Sequence, residues 1–528
     1  MLRQPPSIFN DVIGPVMRGP SSSHTAASVR IGRLVRQFLN GAPVFFHADF
    51  AKNGSLATTY SSQGSAIGLA GGLLNMETAD YALTGALDQA RKNGITVSFA
   101  VTDGEDEHPN TYRIRAVGES GEEYRFIFVS TGGGMIELRS VNEIAVAING
   151  DFHETLLFFT DTEKCTLLNI CKTLEQRFTD FDYSSVSGDI NRGLINIKSG
   201  FRIELSSIEP FIAADKPIKI VQLDPVLPVK SRRNCAVPFT KAAEILVEAE
   251  KDNRALWELA VEYESARGNL SADEVLSMAV DLIKIMKEAV NCGLRGTKYS
   301  DRILVGPQAS GLDAYKGPLL GGEQVKRLIT HITAIMETKS AMGVIVAAPT
   351  AGSCAGLPGT LLASAEELGL NDTDTAKGLL AAGLVGVLIA TASTFAAEEC
   401  GCQAECGAGS GMAAAGLVQL AGGSAAQALD AAAMGLQNII GLVCDPVANR
   451  VEVPCLGKNV LSGMNAIASA NMALAGFDCV IPLDETIAAF DQAGRMLPPE
   501  LRCTGFGGLS ITPTSLAIQK SLQMENKR

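Results

Sequence analysis

The run GLLAAGLVGVLIATASTFAA, residues 378–397, carries no charge over a length sufficient to span a bilayer. A chain that contains it must either pack this helix among other helices or place it in lipid. The residue types favour packing. Ala, Gly, Ser and Thr dominate, neither end carries Trp or Tyr, and the run passes directly into EECGC. Small residues let helix backbones approach closely, so the expectation is a core helix within a helical domain and no membrane partner.

A chain of 528 residues exceeds what one hydrophobic core organises, so several domains are expected. With 46% hydrophobic residues but only 5% aromatic, the cores must be built mainly from Ala, Gly, Val and Leu. The net charge of −13 disfavours nucleic acid as a partner. Twelve cysteines in this length are too sparse for a secreted disulfide scaffold. The opening MLRQPPSIFNDVIGPV lacks the apolar stretch of a signal peptide, so a cytoplasmic address is the expectation.

Three regions separate by pattern. Residues 1–150 read as an α/β domain, with strands at PVFFHADF, TVSFAV, YRIRAV and YRFIFVS and a helix through SHTAASVRIGRLVRQFLN. Residues 151–222 read strand, helix, then strands FDYSSVSGD, GLINIKSG and FRIELSS, the order of a small ferredoxin-like βαββ module. The Pro-punctuated EPFIAADKPIKIVQLDPVLPVK reads as a linker. From 223 to 528 the pattern is helical, amphipathic and charged at first and Gly/Ala-rich after 340.

Few motifs carry obvious chemistry. The five histidines, His24, His47, His108, His153 and His331, form no HExxH or HxH pair. GAGSGMAAAG (407–416) fits a loose dinucleotide pattern but follows no strand, so helix packing is its reading. GPSSSHT (19–25) places three serines, a histidine and a threonine at a helix start. It suits either a carboxylate site or a simple helix cap. Eight of the twelve cysteines lie between 354 and 503. Cys444 and Cys455 flank the Pro-interrupted CDPVANRVEVPC, where thiolates could ligate soft metal or pack as small hydrophobes.

Longer strings decide more. IGPVMRGPSSSHT, EHPNT (107–111), STGGGMIEL (130–138), AAPTAGS (347–353), GCQAE (401–405), GLVCDPVANRVEVPC (441–455) and GGL (507–509) occur in the order found in iron–sulfur L-serine dehydratases. The chain resembles that family, with its β-type and α-type parts fused. The resemblance implies a multidomain fold: a serine dehydratase β-type α/β domain (1–150), an ACT-like module (151–222) and an all-α cluster-binding α-type domain (223–528). The module carries DTEKCT where a Gly-rich ligand turn is usual, which argues against amino-acid binding there.

The resemblance further implies a 4Fe–4S cluster on Cys402, Cys444 and Cys455, which reproduce the family spacing of 41 and 10 intervening residues. Cys354, Cys400 and Cys406 are then non-ligands. Three thiolates leave one iron open to act as a Lewis acid on a small amino-acid substrate. Ser22, Ser23 and Thr25 would bind substrate, joined by Asn110 and by the turn holding Thr350, Gly352 and Ser353. His24 is the first candidate for the base and His108 the second. A homodimer is the expected assembly.

The chain also departs from the family strings. GHGTD is replaced by Gln63-Gly64-Ser65-Ala66, an Asn by Lys339, NASIS by Ala392-Ser393-Thr394-Phe395-Ala396, and the RET of the terminal string by Arg502-Cys503-Thr504. Serine dehydration is the leading reading. The alternatives are another β-substituted amino acid, such as threonine or cysteine, or a non-catalytic amino-acid-binding or cluster-sensing homologue.

Overall fold

The computed structural model describes residues 4–212 and 216–525. The N-terminal region contributes β1 (Val16–Arg18), β2 (Phe45–Ala51), β3 (Thr96–Thr102), β4 (Thr111–Val117), β5 (Glu123–Gly132), β6 (Met135–Val141) and β7 (Ile144–Ile148). All but β1 form a six-stranded sheet in the order β3-β2-β4-β5-β6-β7, parallel at β2/β3 and antiparallel elsewhere. Alternation drives it: Tyr124, Phe126 and Phe128 of β5 are buried while Arg125 and Ile127 face out. The Ala27–Phe38 helix lays Ile31, Leu34, Val35 and Phe38 on that buried face. A second helix, Ser65–Leu73, crosses the first in near backbone contact. A Cβ on Gly72 would lie 2.2 Å from the Val29 carbonyl oxygen, so only glycine fits.

Next come β8 (His153–Phe159), the Lys164–Arg177 helix, β9 (Phe181–Gly188), β10 (Gly193–Ser199), the Leu205–Ile212 helix and β11 (Lys219–Leu223). The four strands form an antiparallel sheet ordered β11-β8-β10-β9, a split βαβ pattern with one more helix than the sequence suggested and with its fourth strand elsewhere. FRIELSS leads into the helix rather than forming a strand. The segment read as a linker holds β11, because Pro217 and Pro225 flank that strand without interrupting its ladder. Both faces of this sheet are covered. Leu156, Phe158 and Leu194 join the core of the first domain, whereas Leu157, Phe159, Ile195 and Ile197 pack on the module's own helices.

The remainder is helical, with one exception that corrects the all-α expectation. Strand β12 (Val344–Val346) pairs antiparallel with β1, Val16 opposite Val346, and stitches the C-terminal region to the N-terminal one. The uncharged segment lies at the centre of the helical core as the Asp372–Ala392 helix. It is long and apolar enough to cross a membrane, and 83% of its most apolar window is buried inside the protein. Its glycines admit neighbours. Gly383 and Gly386 face Ile8 and Val12 of the N-terminal segment, and Gly378 faces Gly416 of the Cys406–Leu420 helix. Glu264 clamps that N-terminal segment, accepting from Ser7 Oγ at 2.5 Å and Ile8 N–H at 2.7 Å.

Candidate active site

The β1–β12 pair fixes where the two candidate turns meet. The chain leaving β1 enters Gly19–Thr25, and the chain leaving β12 enters Pro349–Ser353. Ser22 Oγ accepts from Ala351 N–H at 3.1 Å and ties one turn to the other. Ser23 is buried on the same helical turn. Thr25 Oγ1 donates to the Gln63 carbonyl at 2.9 Å. Gly64 follows with φ +92, and any Cβ there would lie 2.3 Å from Thr25 Oγ1. Thr350 Oγ1 donates to Glu405 Oε1 at 2.5 Å and lies 3.3 Å from Ser353 Oγ. The Gly352 carbonyl accepts from Asn459 Nδ2, and a Cβ on Gly352 would lie 2.7 Å from Glu405 Oε1, so the carboxyl rests on the turn.

His24 is wholly buried, with Nδ1 3.0 Å from Ser21 Oγ and Nε2 2.7 Å from Thr59 Oγ1. Thr59 gives its single proton to the Ser55 carbonyl, so it accepts from His24 Nε2–H. The ring therefore keeps its one lone pair at Nδ1, facing the Ser21 hydroxyl. Burial pushes this imidazole down to about 3, which leaves it neutral across the physiological range. His108 Nδ1 accepts from Asn110 N–H at 3.1 Å, which places its proton on Nε2, 3.7 Å from Glu399. Asn110 is fully buried beside the Glu398 carboxyl.

Three carboxyls stand here that the sequence reading did not single out. Burial raises Glu398, and the neighbouring His108 imidazole holds Glu399 low. Glu405 is pushed up to about 8, first by burial and then by the neighbouring Cys402. Its place in GCQAE was visible, but its burial was not.

Cys402, Cys444 and Cys455 are all buried. The Cys402 thiol contacts those of Cys406 and Cys444, and these contacts hold it well below the usual thiol range. Cys455 opens the Cys455–Leu474 helix within electrostatic reach of Cys402. Two further thiols come close, one of them the expected non-ligand Cys406. Cys406 touches Cys402, and Cys503 touches Cys444 across a short parallel bridge in which Cys503 N–H donates to the Cys444 carbonyl at 3.0 Å. Cys354 and Cys400 are buried as well. Lys458 adds positive charge near Cys402 and Cys444 while bonded to Asp445 Oδ1 at 2.7 Å.

Among the described residues no three His, Cys, Asp or Glu side chains converge on a single metal-ion position. A 4Fe–4S cubane does not require that, because each thiolate binds a different iron. Buried thiols at a short 3-10 turn, a loop and a helix start, beside a lysine, form a donor set that suits such a cluster.

A sequence profile described as the serine dehydratase alpha chain matches residues 251–510. The chain is 33% identical over 286 residues to the L-serine dehydratase alpha chain of Peptoniphilus asaccharolyticus, covering 54% of this chain and 98% of that protein. The chain belongs to the serine dehydratase family. A probable L-serine dehydratase alpha chain of Bacillus subtilis is 42% identical over 242 residues, 46% of this chain and 80% of its own length. The probable beta chain from the same organism is 37% identical over 168 residues, 32% of this chain and 74% of its own. Both family parts are thus present in one polypeptide, the α/β sheet region first and the helical region after it. The two turns joined through Ser22 and Ala351 lie at the junction of these serine dehydratase parts.

Proposed function

We propose that the protein converts L-serine to pyruvate and ammonia with a 4Fe–4S cluster held by Cys402, Cys444 and Cys455. The observation that carries this reading is the tie between the two polar turns, one from each family part, through Ser22 and Ala351, with Glu405 resting on the second turn. When bound, the cluster supplies a Lewis-acidic iron for the substrate's hydroxyl.

The chain's own groups divide the proton work. His24 is the base by placement, since its Nδ1 lone pair faces the Ser21 hydroxyl and takes the α-proton there. Glu405, held protonated, is the acid and passes its proton to the departing hydroxyl, so that water leaves. Thr350 orients that carboxyl through its hydrogen bond. The N–H groups of Thr350–Ser353 and the hydroxyls of Ser22 and Ser23 hold the substrate, while Thr25 fixes the turn. Asn110 and His108 close the site through Glu398 and Glu399. Loss of the α-proton and hydroxyl leaves an enamine, which tautomerises and takes up water to give pyruvate and ammonia. The enzyme is proposed to act in the cytoplasm as a homodimer, and the βαββαβ region to be an ACT-like module.

Anaerobic purification tests the reading. About four irons per chain are expected, with pyruvate released from serine, and Cys402→Ala, Cys444→Ala and Cys455→Ala should each lose iron and activity. A cluster without turnover of any β-substituted amino acid would make the chain a cluster-bearing regulator instead. Turnover of threonine or cysteine in place of serine would overturn the substrate.

A further inference from the structure

Where the N-terminal segment, the six-stranded sheet, the four-stranded module and the helical region meet, they line a cavity of about 610 Å³. Its lining includes His108 and Glu399 and, from the module, Asp151, Phe152, Tyr183 and Lys198. The module residues form one connected corner. The Phe152 and Tyr183 rings meet edge to face with centroids 5.9 Å apart, and the Lys198 ammonium lies 5.4 Å from the Phe152 ring. Gln4, also on the lining, donates from Nε2 to the Tyr183 hydroxyl at 3.1 Å. Asp151 directly precedes Phe152, and its backbone carbonyl accepts from Ser231 N–H at 2.9 Å.

The charges in this corner do not balance. Asp151 is 5% exposed and its Oδ1 is buried without a partner. Among the described residues no hydrogen bond or ion pair reaches its carboxylate. Lys198 is committed elsewhere, donating to Glu154 Oε1 at 2.8 Å and to the Ala147 carbonyl at 2.7 Å. Arg267 lines the cavity too, but it donates to the Pro5 and Lys230 carbonyls and to Ser231 Oγ. Gln4 Oε1 is a second buried acceptor without a donor. A carboxylate taken out of water is strongly unfavourable unless a cation or several donors meet it. Water can satisfy the oxygens but leaves the charge unmatched. A primary ammonium supplies the charge and three N–H donors, and aromatic faces attract it.

We propose that this cavity is a second ligand site, taking a small molecule through a primary ammonium group seated on the Asp151 carboxylate and Gln4 Oε1. It stands apart from the DTEKCT turn, because Asp151 precedes β8 and that turn follows it. It is also independent of the serine reaction. A ligand here bridges the N-terminal segment, the module and the helical region.

Binding is measured by calorimetry and thermal melting on the anaerobic full-length protein. Ethylammonium and L-alaninamide carry an ammonium without a carboxylate, and L-lactate carries a carboxylate without an ammonium. Both ammonium probes should bind wild type and raise its melting temperature. Asp151→Asn should weaken them about 10- to 100-fold, the range for hydrogen bonds to a charged group, and leave any L-lactate binding unchanged. Gln4→Leu should weaken them by less, and Ser23→Ala, in the other site, should not affect them. Asp151→Asn removes an unmatched buried charge, so without ligand it should melt no earlier than wild type. Asp151-dependent binding tighter for L-alanine than for ethylammonium would support free amino acids as the ligand class, and the reverse order would support simple amines. Wild type that binds neither ammonium probe, or Asp151→Asn that binds them as wild type does, overturns the proposal. So does an earlier melt of ligand-free Asp151→Asn, which would show that the carboxylate is already matched. Potassium at equal ionic strength giving the same Asp151-dependent stabilisation would overturn it as well, by marking a metal-cation site.

Discussion

Glu405→Gln separates the chemical role of this side chain from its packing. The carboxyl is fully buried, accepts from Thr350 Oγ1 at 2.5 Å and is pushed up to about 8, with burial the larger cause and Cys402 the next. A donor with that pKa is about 90% protonated at pH 7 and about 9% at pH 9, so kcat/KM should fall about tenfold between them. Glutamine keeps an oxygen for Thr350 but has no proton to give, and loss of a positioned acid costs about 10²- to 10⁴-fold in kcat. The fold should tolerate the change. The folded-state pKa lies above the value of 4.5 expected in the unfolded chain. The wild-type side chain therefore costs stability as pH rises from 4.5 towards 8, on the order of 4 kcal/mol at the upper end. The variant lacks this penalty and should melt no earlier than wild type at pH 8. The assay is pyruvate release from serine between pH 6 and 10 under anaerobic conditions, with iron content matched. If the variant is slow but still loses activity near pH 8, another group owns that limb and the acid assignment is wrong.

Two further predictions concern stability. Glu264, pushed up to about 7 chiefly by burial, ionises in the unfolded chain before it does in the fold. The melting temperature should therefore drop from pH 5 to pH 8, this group accounting for about 3 kcal/mol. Glu264→Gln should reduce that slope while costing about 1–3 kcal/mol for a donor left without its acceptor, and an unchanged slope in thermal scans would refute it. A Cβ on Gly386 would lie 2.1 Å from Val12 Cγ1. Gly386→Ala should therefore cost about 1–3 kcal/mol in urea unfolding, with partial recovery in the Gly386→Ala/Val12→Ala pair. A neutral Gly386→Ala would show that the N-terminal segment does not pack there.

What the sequence made legible follows the range of the interactions involved. Alternation along Tyr124, Phe126 and Phe128 is local, so β5 could be read directly. The small residues of 378–397 pointed correctly to a packed helix, because backbone approach depends on residue size alone. Strand β11 was missed because Pro217 and Pro225 resemble a linker unless the partner strand β8 is known. β12 is three residues long and exists as a strand only through β1. At the site, the long strings marked both turns and the three candidate ligands. The acid–base character of Glu405 was hidden because it arises from burial by distant segments. The approach of Cys503 to Cys444 was hidden because it follows from a single bridge between residues 444 and 502.

These long-range contacts form one mechanical chain. The glycines of the Asp372–Ala392 helix admit Ile8 and Val12, and Glu264 clamps Ser7 and Ile8. That anchor leads within a few residues into β1, and β1 aligns β12. Together the two strands deliver the Ser22–Thr25 and Thr350–Ser353 turns to each other. A register slip of one residue between Val16 and Val346 would turn both exits to the opposite face. The small-residue composition of a helix far from any reacting atom thereby governs whether Thr350 meets Glu405 and whether Ser22 meets Ala351. In this fused chain the two family parts are held in register by core packing of the N-terminal segment.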